Sequence, residues 1–281
     1  MPSDIDISLG ALLIEGLVAM AIWGVTCVQG YTYFNQSSSD RLLLKGTITF
    51  LLVLTTFDGA LIGHFLYFFL IKQFGNPLIL STWVWSLSVH GAIRPIVGFI
   101  IRTMFAHRIY IFSNKSILLT SWIMVLSFTG FAIALFFDIK NIEFFTGYQE
   151  ELVYLNIAAV TLANLSITAS LCYLLHKSRT GFRRTNSVIR LLMMYTINTG
   201  GLVTVGSLLD LVDLVVYPQG PGDIVDSLSY ILNGMYLSSY LASLNAREDI
   251  RDRFNDPVSV RSQLGLPMAF APGSIQSSLQ R

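Results

Sequence analysis

The chain has 281 residues, of which 53% are hydrophobic and only 12% charged, with a formal net charge of +1. Soluble domains carry about a quarter of their residues charged, so this composition cannot cover a water-facing surface. It excludes an ordinary soluble enzyme, and the near-neutral charge gives no basic footprint for nucleic acid.

Spanning a hydrocarbon core takes about 20 apolar residues in a helix, because no water there can satisfy an open backbone. The hydropathy pattern predicts an all-α, seven-transmembrane helix bundle. A short N-terminal segment, 1–9, precedes the membrane domain at 10–244. Its first span runs over 10–34, the second over 46–71 and the third over 81–105. The fourth covers 117–137, the fifth 152–175, the sixth 188–217 and the seventh 224–244. The sixth is longer than a bilayer requires, so it is expected to tilt or extend into water. After the seventh, Ile250 and Phe254 lie four apart among charges, which predicts a juxtamembrane amphipathic helix over 245–256. The remainder, 257–281, is rich in Ser, Pro and Gly and reads as a disordered tail.

Lys and Arg gather on alternate connections. Arg41 and Lys45 fall on the first, Arg102, Arg108 and Lys115 on the third, and Lys177, Arg179, Arg183, Arg184 and Arg190 on the fifth. Arg247, Arg251, Arg253, Arg261 and Arg281 follow the last span. The opposite side has only Lys72 and Lys140, with Arg94 left inside a span. The positive-inside rule therefore places the N-terminus outside and the tail in the cytosol. Trp83, Trp85, Tyr31 and Tyr33 suit the two interfacial belts. The sequons at Asn35 and Asn114 fall on the inner side, away from glycosylation. Cys27 and Cys172 both sit in apolar stretches and read as buried thiols. The plasma membrane is expected ahead of internal membranes.

Several segments carry a pattern of their own. They are Asp58-Gly-Ala-Leu-Ile-Gly-His64 with Phe74-Gly-Asn-Pro77, and Phe105-Ala-His-Arg-Ile-Tyr110. Ser178-Arg-Thr-Gly-Phe-Arg-Arg-Thr-Asn-Ser187 continues towards Tyr195-Thr-Ile-Asn-Thr-Gly-Gly201, and the last is Tyr240-Leu-Ala-Ser-Leu-Asn-Ala-Arg247. In these motifs the chain resembles the family of multi-pass membrane proteins named for domain of unknown function 6534, abundant in mushroom-forming fungi. The resemblance implies seven spans and no assigned activity, so it supplies no functional residues.

Ionisable groups inside a membrane cost roughly 2.5–3.5 kcal/mol each on insertion scales and so face the bundle interior. Asp58 and Arg94 both fall near the middle of their spans, which predicts an ion pair between the second and third helices. That pair reads either as a fixer of helix register or as part of a binding site. Ser86, His90, Arg94, Gly98 and Arg102 repeat every four residues along the third span. Asp210 and Asp213 stripe the sixth, and Asn233 and Tyr236 the seventh. With Asp58 and His64 these make the candidate lining of a polar cavity in the outer half of the bundle. Hydrogen-bond glue between helices is the plainer reading.

Two histidines on different spans fall short of the three ligands a catalytic zinc needs, so neither a metal nor another cofactor is expected. No Gly-x-Ser-x-Gly marks a nucleophile, which leaves an intramembrane hydrolase the least supported function. A receptor-like sensor leads, and a small-solute transporter or channel is the alternative. The basic stretch 177–190 would meet anionic inner-leaflet lipids or an acidic cytoplasmic partner. Oligomeric state is not legible.

Overall fold

The computed structural model describes residues 4–36, 40–73, 84–140, 149–177, 201, 204–206, 208, 212, 231 and 234–246. All the regular structure among them is helical. Helix α1 covers Asp4–Gln36, α2 Leu42–Tyr67, α3 Trp85–Phe112, α4 Ile117–Lys140 and α5 Gln149–Lys177. Residues 234–246 form a further helical segment. Helix α2 runs on into a π-helical turn, Phe68–Lys72, closed by the Gln73 amide donating to the Phe68 carbonyl at 3.1 Å.

These five numbered helices, among the described residues, are each long and apolar enough to cross a membrane. Their outward faces say the same. Ile14, Leu17, Val28, Val53, Leu118, Val125 and Tyr173 are all more than half exposed, and Leu118 is 87% exposed. So much aliphatic surface would aggregate in water, whereas hydrocarbon is its natural solvent. The molecule is an integral membrane protein.

Many hydroxyls on these helices are satisfied within their own helix, as suits an apolar solvent. The hydroxyls of Thr26, Thr32, Thr47, Thr55, Thr103 and Thr129 each donate to the carbonyl four residues back. Such back-bonding hides a hydroxyl without a partner helix.

Sequential helices pack against each other, and α3 also meets α5, so α3 is the central element. Short connections make the neighbours antiparallel. In α1 and α2, Gly16 sits against Leu66 while Gly30 sits against Leu52, far along the opposite direction. Helices α4 and α5 pack closely at Gly130, where an added Cβ would stand 2.7 Å from the Val160 methyl. The same glycine's carbonyl accepts the Asn156 side-chain amide at 3.2 Å. The 234–246 helix runs parallel to α1, with Gly234 beside Ile22 and the Ser238 hydroxyl donating to Gln29 Oε1 at 3.0 Å. One end of the bundle therefore carries the α2–α3 connection, and the other carries the α3–α4 connection.

The main core lies towards the α3–α4 end. Ile48 and Leu51 from α2, Ile101 and Ile109 from α3, Ile123 from α4, and Leu237 and Leu241 from the 234–246 helix are completely buried. A smaller cluster of Ile62, Phe65, Phe69 and Val84 fills the α2–α3 end. The space between the two is lined mostly by apolar side chains, Ala19, Met20, Ile62, Ile93 and Val97 among them, with Asp58 and Arg94 as its charged groups.

Two expectations change here. Arg102 does not belong to a connection: α3 continues ten residues past it, and its side chain is 93% buried. Tyr33 is no belt residue either; it is 1% exposed, and its hydroxyl donates to Asp40 Oδ2 at 3.1 Å. Tyr31 is 72% exposed.

The α3–α4 connection is a tight turn in which Asn114 and Lys115 both hold positive φ, 54° and 66°. Asn tolerates this conformation because its side chain bonds locally, but a β-branched residue is strongly disfavoured there. Lys115→Val is expected to lower unfolding stability by about 1 kcal/mol, while Lys115→Gly leaves it unchanged or raised. Urea or heat titration in detergent would read both.

Candidate functional site

The site begins where α2 and α3 cross near their ends. Nδ1 of His64 and the Ser86 hydroxyl share a hydrogen bond of 3.0 Å, with the Trp85 ring tilted 5.1 Å from the imidazole. One turn deeper on α3, Nδ1 of His90 lies 2.6 Å from Asp58 Oδ1. With the carboxylate ionised it only accepts, and His90 then presents its Nδ1–H to Asp58. The imidazole is 1% exposed and the carboxylate 18% exposed, so the pair sits inside the bundle with one side open. Phe65 meets the His90 ring edge-on at 6.1 Å and holds it in place.

The open side of Asp58 faces a cavity of about 40 Å³ between α1, α2, α3 and the 234–246 helix. Trp23 and Thr26 come from α1, Thr55, Asp58 and Gly59 from α2, Arg94 and Val97 from α3, and Gly234 from the last helix. At roughly 10–15 Å³ for each water, this space holds about three waters or a ligand of similar size. It is an order of magnitude below the roughly 300–1,000 Å³ of drug-sized sites. Trp23 is fixed by its indole N–H, which donates to Thr56 Oγ1 at 3.2 Å.

Local sequence explains why the charges converge. Asp58 lies at the middle of α2, and His90 and Arg94 lie one turn apart on α3. Pro95 has no amide hydrogen, so the Gly91 carbonyl lacks its helical donor in the turn that carries His90 and Arg94. Polar backbone thus accompanies the polar side chains at this depth.

The candidate residues are therefore distributed as follows. Asp58 and Arg94 line one cavity, and the carboxylate's 2.6 Å bond comes from His90. His64 stands at the mouth-side rung with Ser86. Tyr236 is buried but faces Arg102 deeper in the bundle instead of this cavity. Asp210, Asp213 and Asn233 lie outside the described residues, as do Arg179, Arg183, Arg184 and Arg190 of the basic loop. Lys177 ends α5 and is exposed. Among the described residues, no three His, Cys, Asp or Glu side chains gather as a metal site.

Beyond the cavity, towards the α3–α4 end, the helices are tied by a second polar group. The Arg108 guanidinium donates to the Ser243 hydroxyl at 2.7 Å and lies 5.2 Å from the centre of the Tyr240 ring. The Asn245 side-chain amide donates to the Gln29 carbonyl at 2.9 Å. Sequence spacing gave no sign of these contacts, because they join residues more than 130 positions apart.

Residues 160–249 match the model of a family of unknown function, DUF6534. The match supports the resemblance read from the motifs, and it covers the second half of α5 and the whole 234–246 helix. Asp58, His64, His90 and Arg94 lie outside it. No curated protein and no solved structure matches the chain.

Proposed function

We propose that the protein is a receptor-like membrane sensor that takes a small polar ligand into the Asp58–His90–Arg94 cavity. Its N-terminus faces outside, its basic connections lie in the cytosol, and Asp58 and Arg94 act as a balanced charge pair on the ligand. The seven-span reading is supported by direction: α5 and the 234–246 helix both run parallel to α1, so the chain between them has to recross the bilayer.

One observation carries the choice of sensing over conduction. Among the described residues, the cavity gives way towards the α3–α4 end to Ile48, Leu51, Ile101, Ile109, Leu237 and Leu241, all fully buried, with few polar groups set among them. A conduit needs polar groups or water along its whole length, since an ion or polar solute in hydrocarbon loses its hydration without replacement. A sensor needs the reverse, a closed far end whose packing the ligand can bias.

The test is a thermal-shift screen of the purified full chain against small polar molecules, repeated on Asp58→Asn and Arg94→Ala. A ligand at about 100 times its Kd adds about 2.7 kcal/mol to the stability of the state it binds. The expected outcome is a compound that stabilises the wild type and neither variant. If no compound stabilises the wild type and the variants lose only stability, the sensing reading fails. Solute flux through reconstituted vesicles would instead favour the transporter.

A further inference from the structure

One face of α2 is open along most of its length. Val53, Phe57, Ala60, His64, Tyr67 and Ile71 follow one another in steps of four or three residues, and all are exposed. That spacing defines a single helix face, and its aliphatic and aromatic members make it the face that meets lipid. His64 breaks the pattern. Ionisable residues in a span turn to the bundle interior as a rule, because hydrocarbon gives them nothing to bond. The span ends at Lys72, eight residues and roughly 12 Å further on, so the imidazole lies beneath the headgroups. Its Nδ1 is turned to the Ser86 hydroxyl, which is 0% exposed, so the exposed edge of the ring carries Nε2.

Two more polar tips stand beside that edge. The Trp85 ring is 5.1 Å from the imidazole, Tyr67 follows one turn along α2, and both residues are 58% exposed. Towards the middle of the membrane the surface is low. Ala60 has only a methyl group, and a Cβ added at Gly63 would meet nothing within 4 Å. Phe57, 49% exposed, stands one turn beyond Ala60. The result is an apolar shelf closed at one end by hydrogen-bonding rings.

The chemistry selects among lipids. Acyl chains are as apolar as the shelf, so hydrophobicity alone cannot favour one occupant over bulk lipid. A rigid body can be favoured, because it loses less freedom than a flexible chain when it settles on a surface. The polar end rules against a phosphate, which is held best by arginine or lysine. Imidazole and phenol each both donate and accept, which suits a hydroxyl.

We propose that this face of α2 is a binding site for a membrane sterol. The sterol hydroxyl bonds Nε2 of His64 and the Tyr67 hydroxyl, and its fused rings lie over Gly63 and Ala60 against Phe57. The site is separate from the cavity at Asp58 and does not rest on the sensing reading. It lies on the lipid side of the His64–Ser86 contact, so a bound sterol braces the helix pair that carries Asp58 and His90.

The experiment uses the purified full chain in phosphatidylcholine nanodiscs, with a photoreactive cholesterol as the probe and mass spectrometry to map the adduct. Saturable labelling is expected within 57–67 of α2. Cholesterol should compete for it, and the 3α-epimer, with the same ring body and a misdirected hydroxyl, should compete far less. His64→Phe keeps a flat ring without its nitrogens and should raise the half-saturating sterol fraction about fivefold. Gly63→Leu, whose Cβ meets no neighbour in the bundle, should fold normally and lose the saturable labelling. The proposal is overturned if labelling spreads evenly over the lipid-facing helices, if Gly63→Leu labels as the wild type does, or if the two epimers compete equally. It is also overturned if Gly63→Leu converts a dimer to a monomer in mild detergent, because a second copy of the chain then covers this face. A ligand at Asp58 would survive each of these failures.

Discussion

Asp58→Ala is expected to lower the stability of the folded protein by about 3 kcal/mol, the largest single-residue effect in the bundle. The reason is what remains behind. His90 is 1% exposed, and its Nδ1–H loses the acceptor 2.6 Å away. Truncating one member of a buried pair strands the other in a medium that cannot solvate it, while removing both members can be neutral. The double variant Asp58→Leu with His90→Phe should therefore recover most of the loss. Chemical unfolding in mixed micelles would measure the cycle. A double-variant loss equal to the sum of the two single-variant losses would mean that the pair contributes nothing jointly.

Phe65→Ala ranks second, at about 2 kcal/mol. Phe65 is 2% exposed and braces the His90 ring. In a soluble core, such a truncation costs the lost transfer from water as well as the cavity left behind. Here the alternative surroundings are lipid tails as apolar as the core, so only the cavity and lost dispersion count. The effect should thus fall below the roughly 3–5 kcal/mol of soluble Phe→Ala variants. It should also loosen His90, so Phe65→Ala is expected to weaken any ligand that stabilises the wild type through Asp58. Phe57→Ala, at a residue 49% exposed to lipid, is the matched control and should cost little.

Membrane residence and the first five helices were legible in the sequence because hydrocarbon imposes a simple rule on length and polarity. Several bounds shifted outward, and the third span moved towards the C-terminus. The third span was expected over 81–105, whereas α3 covers Trp85–Phe112, 28 residues. At about 1.5 Å per residue that is roughly 42 Å, longer than the roughly 30 Å apolar layer. A hydropathy window sees the layer, but backbone hydrogen bonding continues through the headgroups. Arg102 counts with the basic residues of the third connection in the charge pattern, although the expected span 81–105 includes it; the helix that runs on to Phe112 keeps it inside the bundle.

The meeting of α2 and α3 was legible in part. Their polar faces pointed to Asp58, His90 and Arg94, and all three converge. Which side chain takes the carboxylate depends on how far one helix slides along the other. One turn, about 5.4 Å, separates His90 from Arg94, and an uncertainty of a few residues in where each helix starts is as large. Tyr236 was read as cavity lining from its spacing on the seventh span. Spacing gives a face, not a depth, and a one-turn error moves a residue from the cavity to the apolar block. The Arg108–Ser243 and Gln29–Asn245 ties left no signal at all, since each is a single polar contact between distant segments.

The sensor account requires a cavity that water reaches from one side of the membrane only. Silver ion is as small as the cavity's waters and binds thiolate, so it can report access residue by residue. Cysteine would be placed at Thr55 or Gly59 in the cavity and at Leu51 or Ile101 in the block, with Cys27 and Cys172 changed to alanine. In oriented vesicles, the account predicts that the cavity positions react from the N-terminal side alone and the block positions from neither. Reaction of Leu51→Cys or Ile101→Cys from both sides would contradict it, because the bundle would then be a conduit.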